Sequence, residues 1–96
     1  MILAVAMPTV ATFVRKPDIL ETVIDDEVVM MDVTQGQYFN IKGVGTRIWD
    51  LLKQPSTIES IVQAVRLEYD VEESQCRSDV NGFVSDLEGP GLVVRS

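Results

Sequence analysis

Val28-Val29-Met30-Met31-Asp32-Val33, then Thr34-Gln35-Gly36, then Gln37-Tyr38-Phe39-Asn40-Ile41, then Gly43-Val44-Gly45-Thr46-Arg47-Ile48-Trp49-Asp50-Leu51-Leu52: the reading of this run decides the fold. Val28 to Val33 is an almost continuous apolar strand. Thr34-Gln35-Gly36 is a turn in which Gly36 is free to take positive φ. Gln37 to Ile41 is the next strand, with aromatic and β-branched residues that suit a pleated surface. Strands joined so tightly pair antiparallel. The period then changes. Val44, Ile48, Leu51 and Leu52 recur at helical spacing with Trp49 beside them. Gly43 and Gly45 loosen the entry to this helix and Pro55 closes its exit.

Outward from that run, Ile19 to Ile24 reads as a strand, and Asp25-Asp26-Glu27 as the polar turn after it. The three strands form an antiparallel meander in which Gln37 to Ile41 lies at an edge. Downstream, Ser56 followed by Glu59 reads as a capping box. It opens a second helix with Ile58, Ile61, Val62, Val65 and Tyr69 on one face. Asp70-Val71-Glu72 is a connector. A third helix runs from about Glu73 to Glu88, with Cys76, Val80, Phe83, Val84 and Leu87 as its stripe. Gly89-Pro90-Gly91 ends it, and Leu92-Val93-Val94 is a terminal apolar stub. Strands followed by helices make an α+β domain. Ile48, Trp49, Leu52, Ile61, Val62 and Val65 are expected in its core.

The first fourteen residues carry no charge, and Pro17-Asp18 marks a break. The chain divides into an N-terminal arm or extra strand over residues 1–18 and a domain over residues 19–96. Arg15-Lys16-Pro17 reads as a linker, which makes the arm dispensable. The alternative is an arm that swaps onto a partner subunit or occupies the domain's own groove. Arg15 and Lys16 follow the apolar run, the reverse of a secretory signal. The run is also interrupted by Pro8 and falls short of the ~18 apolar residues of a membrane span. A cytoplasmic protein with no membrane partner is expected.

Composition narrows the chemistry. The 96 residues carry 8 basic against 15 acidic side chains, a net charge of −7, with one cysteine and no histidine. Imidazole-dependent catalysis and His-ligated metals are excluded. One thiol makes neither a disulfide nor a zinc site. The acidic balance disfavours nucleic acid. Asp25, Asp26 and Glu27 are solvated turn charges, and the acids of the third helix suit its N-terminus or form a rim that attracts a basic ligand. Cys76, on an apolar stripe, is a small hydrophobe without a base to activate it. No catalytic residue, metal or cofactor is expected. What remains is binding. The edge strand Gln37 to Ile41 has no lysine, proline or other blunting device, and an open aromatic edge is either an aggregation liability or a docking site for an extended peptide, unless the arm or a helix covers it.

The stretch Val29 to Ile41, then Gly45, then Ile48-Trp49-Asp50-Leu51-Leu52, resembles the PqqD-like family of small precursor-peptide recognition elements. Ile61, Val65, Tyr69-Asp70-Val71, Asp79-Val80, Phe83-Val84, Leu87 and Gly91-Leu92-Val93 extend the resemblance. It covers roughly Ile19 to Val94. It implies a winged-helix variant: a three-stranded antiparallel sheet followed by three helices. It implies binding of the leader segment of a ribosomally synthesised precursor peptide (RiPP), added as a strand and presented to a partner. The form most like this chain is the stand-alone protein of lasso peptide biosynthesis, which works with a separate cysteine peptidase. The relative in pyrroloquinoline quinone synthesis serves a radical enzyme. Carried over, Gln37, Tyr38, Phe39, Asn40 and Ile41 form the pairing strand, mostly through backbone. Cys76, Val80 and Phe83 form the facing wall. Asp79, Glu72 and Glu73 face basic leader residues. Gly82, in mid-helix, marks either a close backbone approach or a tolerated cost. The rival readings are a winged-helix DNA-binding regulator, whose third helix would present Gln75, Arg77 and Asn81 against the five acids from Glu72 to Glu88, and a purely structural subunit of an enzyme complex.

Overall fold

The structure, a computed structural model, describes residues 10–96. Its elements in order are β1 (Phe13–Arg15), β2 (Ile19–Ile24), β3 (Glu27–Asp32), β4 (Gln37–Ile41), α1 (Val44–Leu51), α2 (Ile58–Glu68), α3 (Glu73–Glu88) and β5 (Val93–Arg95). The strand-then-helix order and the three-stranded antiparallel sheet β2-β3-β4 match the sequence reading. The part of the expected arm through residue 9 lies outside the described residues.

The sheet is set by its two turns. Asp25 and Asp26 take φ of 47° and 65° and connect the Ile24–Glu27 pair, the geometry of a type I′ turn. Glu27, expected in the turn, therefore begins β3. At the other end Val33, expected in the strand, lies beyond it. The buried carboxylate of Asp32 accepts from the backbone N–H groups of Thr34 and Gln35 at 3.0 and 3.3 Å and curls the chain there. Gly36 follows at φ 66°. Alternation does the rest: Val28, Met30 and Asp32 point inward and are buried, and their β4 partners on the same face are Ile41, Phe39 and Gln37.

Three helices cover that inner face. Ile48, Trp49 and Leu52 of the first, Ile61, Val62 and Val65 of the second, and Cys76, Val80, Val84 and Leu87 of the third are all buried, as their spacing predicts. The expected capping box is displaced by one residue. Thr57, not Ser56, caps α2, its hydroxyl accepting from the N–H of Ser60 at 3.0 Å. Ser56 is held elsewhere: its N–H and C=O both bond Phe13, at 2.9 and 2.8 Å. Glu59 consequently faces outward to Arg77 and Gln63. α3 is capped by Glu72, which accepts from the N–H groups of Ser74 and Gln75.

The sequence reading makes residues 1–18 a dispensable arm behind a linker or an extra strand; over Phe13–Arg15 the chain is a strand, and the linker reading is corrected. β1 pairs antiparallel with β5, Phe13 opposite Arg95 and Arg15 opposite Val93. Phe13, Leu92 and Val93 are 3, 1 and 2% exposed. Arg15 is a packing residue, not a linker. Its guanidinium lies 4.2 Å from the centre of the Trp49 ring, donates to the Trp49 carbonyl at 2.7 Å, and pairs with Glu21 at 3.3 Å. Glu21 in turn accepts from the Trp49 indole N–H at 2.6 Å. Burial, partly offset by Glu21, draws the Arg15 pKa below its ordinary value. Among the described residues no helix is long and apolar enough to cross a membrane.

Candidate functional site

Among the described residues β4 is an edge strand, bonded to β3 on one side only. In an antiparallel pair the N–H and C=O groups point alternately to the two sides, so part of the β4 ladder is unpaired. The side chains alternate as well. Tyr38 and Asn40 face the outer surface, Tyr38 with 72% exposure, while Phe39 is half-buried against the core and Ile41 is buried. A strand laid along β4 would therefore direct every second side chain to the helical face.

There the helices leave a groove of about 210 Å³. Val44, Gly45 and Ile48 of α1 line one side. Val65, Tyr69 and Val71 close its end. Cys76, Asp79, Val80 and Phe83 of α3 line the other side. The lining is apolar except for Asp79 and the Tyr69 hydroxyl, which suits an apolar or aromatic side chain with a hydrogen-bonding group at the rim.

Groove and strand meet at one residue, Gly45. A Cβ there would lie 2.7 Å from Ile41 Cγ2 and 2.9 Å from Phe83 Cε1. Ile41 ends β4, Gly45 opens α1 and Phe83 rises from α3, so three elements converge where only hydrogen fits. The close approach considered at Gly82 is not there: Gly82 is exposed and a Cβ would meet nothing within 4 Å.

All four α3 residues singled out from sequence, Cys76, Asp79, Val80 and Phe83, line the groove. Cys76 and Val80 are only 2 and 1% exposed and form its floor, leaving Phe83 and Asp79 at the surface. The five β4 residues flank the groove without lining it. Glu72 and Glu73 do not face it. Glu72 is the α3 cap, and the Ser74 hydroxyl, with the Ser74 and Gln75 N–H groups, holds its carboxyl below the ordinary range. Glu73 pairs with Arg77 at 3.0 Å and lies 3.8 Å from Arg66. Asp79 alone of the three acids is at the site, accepting from Gln75 Nε2 at 2.8 Å. Sequence reasoning missed the Val44, Tyr69 and Val71 wall. Ile48 and Val65 were assigned wholly to the core although they also floor the groove. Gly45, an unfavourable residue within a helix, was the available signal.

Among the described residues no group of histidine, cysteine or acidic side chains is arranged to hold a metal ion. The Cys76 thiol is buried, 3.9 Å from the Val62 carbonyl.

No curated protein sequence matches the chain significantly. Two solved structures share its fold. TbiB1 in complex with the TbiA(beta) leader peptide superposes with a TM-score of 0.76 at 34% identity, over 83% of this chain and 93% of that one. Lasso peptide synthetase B1 complexed with the leader peptide superposes with a TM-score of 0.75 at 23% identity, over 85% of this chain and 96% of that one, a likeness of fold. The family model for coenzyme PQQ synthesis protein D matches residues 27–93, which takes in the sheet edge, the three helices and the groove between them. The chain belongs to the PqqD family.

Proposed function

We propose that this chain is a RiPP recognition element that binds the leader segment of a lasso peptide precursor and presents it to a separate leader peptidase or modifying enzyme. The leader adds as a strand to β4, and its inward side chains seat between α1 and α3. The observation that carries this reading is the continuity of an unpaired edge with an apolar groove at the Ile41–Gly45–Phe83 convergence. Backbone pairing supplies affinity and the groove supplies selectivity. The 34% identity to TbiB1, whose structure holds a leader peptide, supports the same assignment. Gln37, Tyr38, Phe39, Asn40 and Ile41 form the pairing strand, and Cys76, Asp79, Val80 and Phe83 the facing wall. The sheet and three helices are read as a winged-helix variant, used for peptide and not for DNA. On α3, Arg77 is already engaged by Glu59 and Glu73, so the helix offers little free positive charge to phosphates. The chain itself cleaves nothing in this reading, since the Cys76 thiol is buried and the sequence has no histidine to activate it.

The test uses a fluorescein-labelled leader of the precursor encoded nearest the chain's own gene, with polarisation as the readout. Phe39 and Asn40 are adjacent, so one N–H bonds β3 and the other faces the open edge. Of Phe39→Pro and Asn40→Pro, one is expected to unfold by circular dichroism and the other to stay folded and lose binding. If both fold and bind at wild-type strength, strand addition to β4 is wrong.

A further inference from the structure

The three-stranded sheet has a second edge. Among the described residues β2 bonds β3 on one side only, so its outer side presents N–H and C=O groups that no described strand pairs, along six residues, Ile19–Ile24. Five of the six are exposed. Leu20, Val23 and Ile24 show 60, 70 and 53% of their surface, a large apolar exposure for so short a strand. Proteins that merely tolerate an edge blunt it with lysine, proline or a bulge. Within β2 there is none of these, and its one charged residue, Glu21, is engaged by Arg15 and the Trp49 indole.

The helices stop short of this edge. Below β2, between Glu21, Val23 and Asp26 on the sheet side and Trp49, Asp50 and Lys53 of the α1 region, lies an open groove of about 350 Å³. A strand beside β2 would therefore also have somewhere to place its inward side chains. The charge around it that has no partner among the described residues is negative. Asp18 stands just before β2, and Asp25 and Asp26 just after it. None of the three takes part in an ion pair among the described residues. The cations nearby are engaged: Arg15 with Glu21, and Lys53 with Asp50.

We propose that the outer edge of β2 is a second docking edge, taking an extended segment of a protein partner that is apolar in its middle and carries Lys or Arg at both ends. The spacing follows from the strand. Asp18 and Asp25 are seven residues apart, about 23 Å in extended chain, so the partner's basic residues stand six to eight positions apart. A second copy of this chain fits poorly. Pairing β2 with itself antiparallel about Thr22 would set Asp18 against Asp26 of the copy, and each copy carries a net charge of −7. The acids thus repel self-association and admit a basic strand. β4 lies on the far side of β3, so both edges are available at once. The inference stands whether or not β4 takes a leader.

The probe is a synthetic ten-residue peptide with two lysines at each end and alternating valine and threonine between them, titrated into the full ¹⁵N-labelled chain. Amide shifts are expected over residues 18–26, with β4 and α3 unmoved. Asp18, Asp25 and Asp26 all have positive φ, a conformation asparagine also adopts. The triple variant Asp18→Asn, Asp25→Asn, Asp26→Asn should therefore keep its fold and bind the peptide about tenfold more weakly. A peptide with glutamates at its ends should not bind. The proposal is overturned if the lysine peptide fails to bind, if both peptides bind alike, or if the shifts fall on β4 and the α1–α3 groove. It is also overturned if sedimentation shows that the β2 shifts arise from dimers.

Discussion

Gly45 and Gly82 are both helical glycines, and the structure separates them. At Gly82 a methyl group would meet open space, so Gly82→Ala is expected to raise stability by about 1 kcal/mol in a denaturant titration, leaving ligand binding unchanged. At Gly45 the same change drives a methyl into Ile41 Cγ2, which is fixed at its branch point, and into the Phe83 ring. Gly45→Ala should therefore lose peptide affinity even where the fold survives. Phe83 completes the test from the other side. It is half-buried at the groove, so Phe83→Ala is expected to weaken peptide binding by about 2 kcal/mol in calorimetry. A collapse of the thermal melt with unchanged affinity of the folded fraction would return Phe83 to the core. Asp26 shows the same conformational logic in a turn. Its φ of 65° suits glycine at the second position of a type I′ turn, so Asp26→Gly should stabilise the hairpin by roughly 0.5–1 kcal/mol.

At the scale of elements, β2, β4 and α3 were legible to the residue, because period-2 and period-3.6 patterns with clear breakers bound them. The errors have physical causes. Ser56 and Thr57 are both good caps, and only the backbone pairing of Ser56 with Phe13 decides between them. β1 was invisible as a core strand because three residues carry too little pattern, and its partner β5 lies at the other end of the chain. The wall of the candidate site on α3 was legible as a stripe; the α1 and α2 walls were not, since a residue that floors a groove and one that fills a core look alike in sequence. The role now assigned to β1 yields its own expectation. Phe13→Ala should cost about 3–5 kcal/mol, measured by denaturant unfolding, and a chain beginning at Arg15 should lose more, since it also lacks the Phe13–Ser56 and Phe13–Arg95 pairings.

For the whole molecule the sequence and the carboxylates together set the response to pH. With no histidine, nothing in an unperturbed state titrates between about pH 5.5 and 7.5. Four carboxyls are held below their ordinary values. At Asp32, burial would raise the pKa, but Lys16 at 3.1 Å and the N–H groups of Gln35 and Thr34 outweigh it. Lys53 lowers Asp50, Arg77 lowers Glu59, and the Ser74 hydroxyl lowers Glu72. A carboxyl whose folded pKa is depressed contributes stability that is present above its unfolded pKa and lost as pH falls through the folded one. The thermal midpoint is therefore expected to be flat through neutral pH and to fall once pH drops below the ordinary Asp and Glu range. Asp32→Asn should lower the neutral midpoint and shallow the acid limb.

The β1–β5 pair joins Thr12 to Ser96 by hydrogen bonds between residues 84 apart in sequence, and Phe13 cannot be enclosed until Val93 has arrived. On the ribosome that interval is roughly 4–17 s at ordinary elongation rates. Through it the sheet and then the helices are translated in turn while one large aromatic ring waits uncovered. β5 thus acts as the latch of the fold. A nascent chain stalled before Leu92 should resist protease poorly, and one stalled well beyond Arg95 should resist it fully.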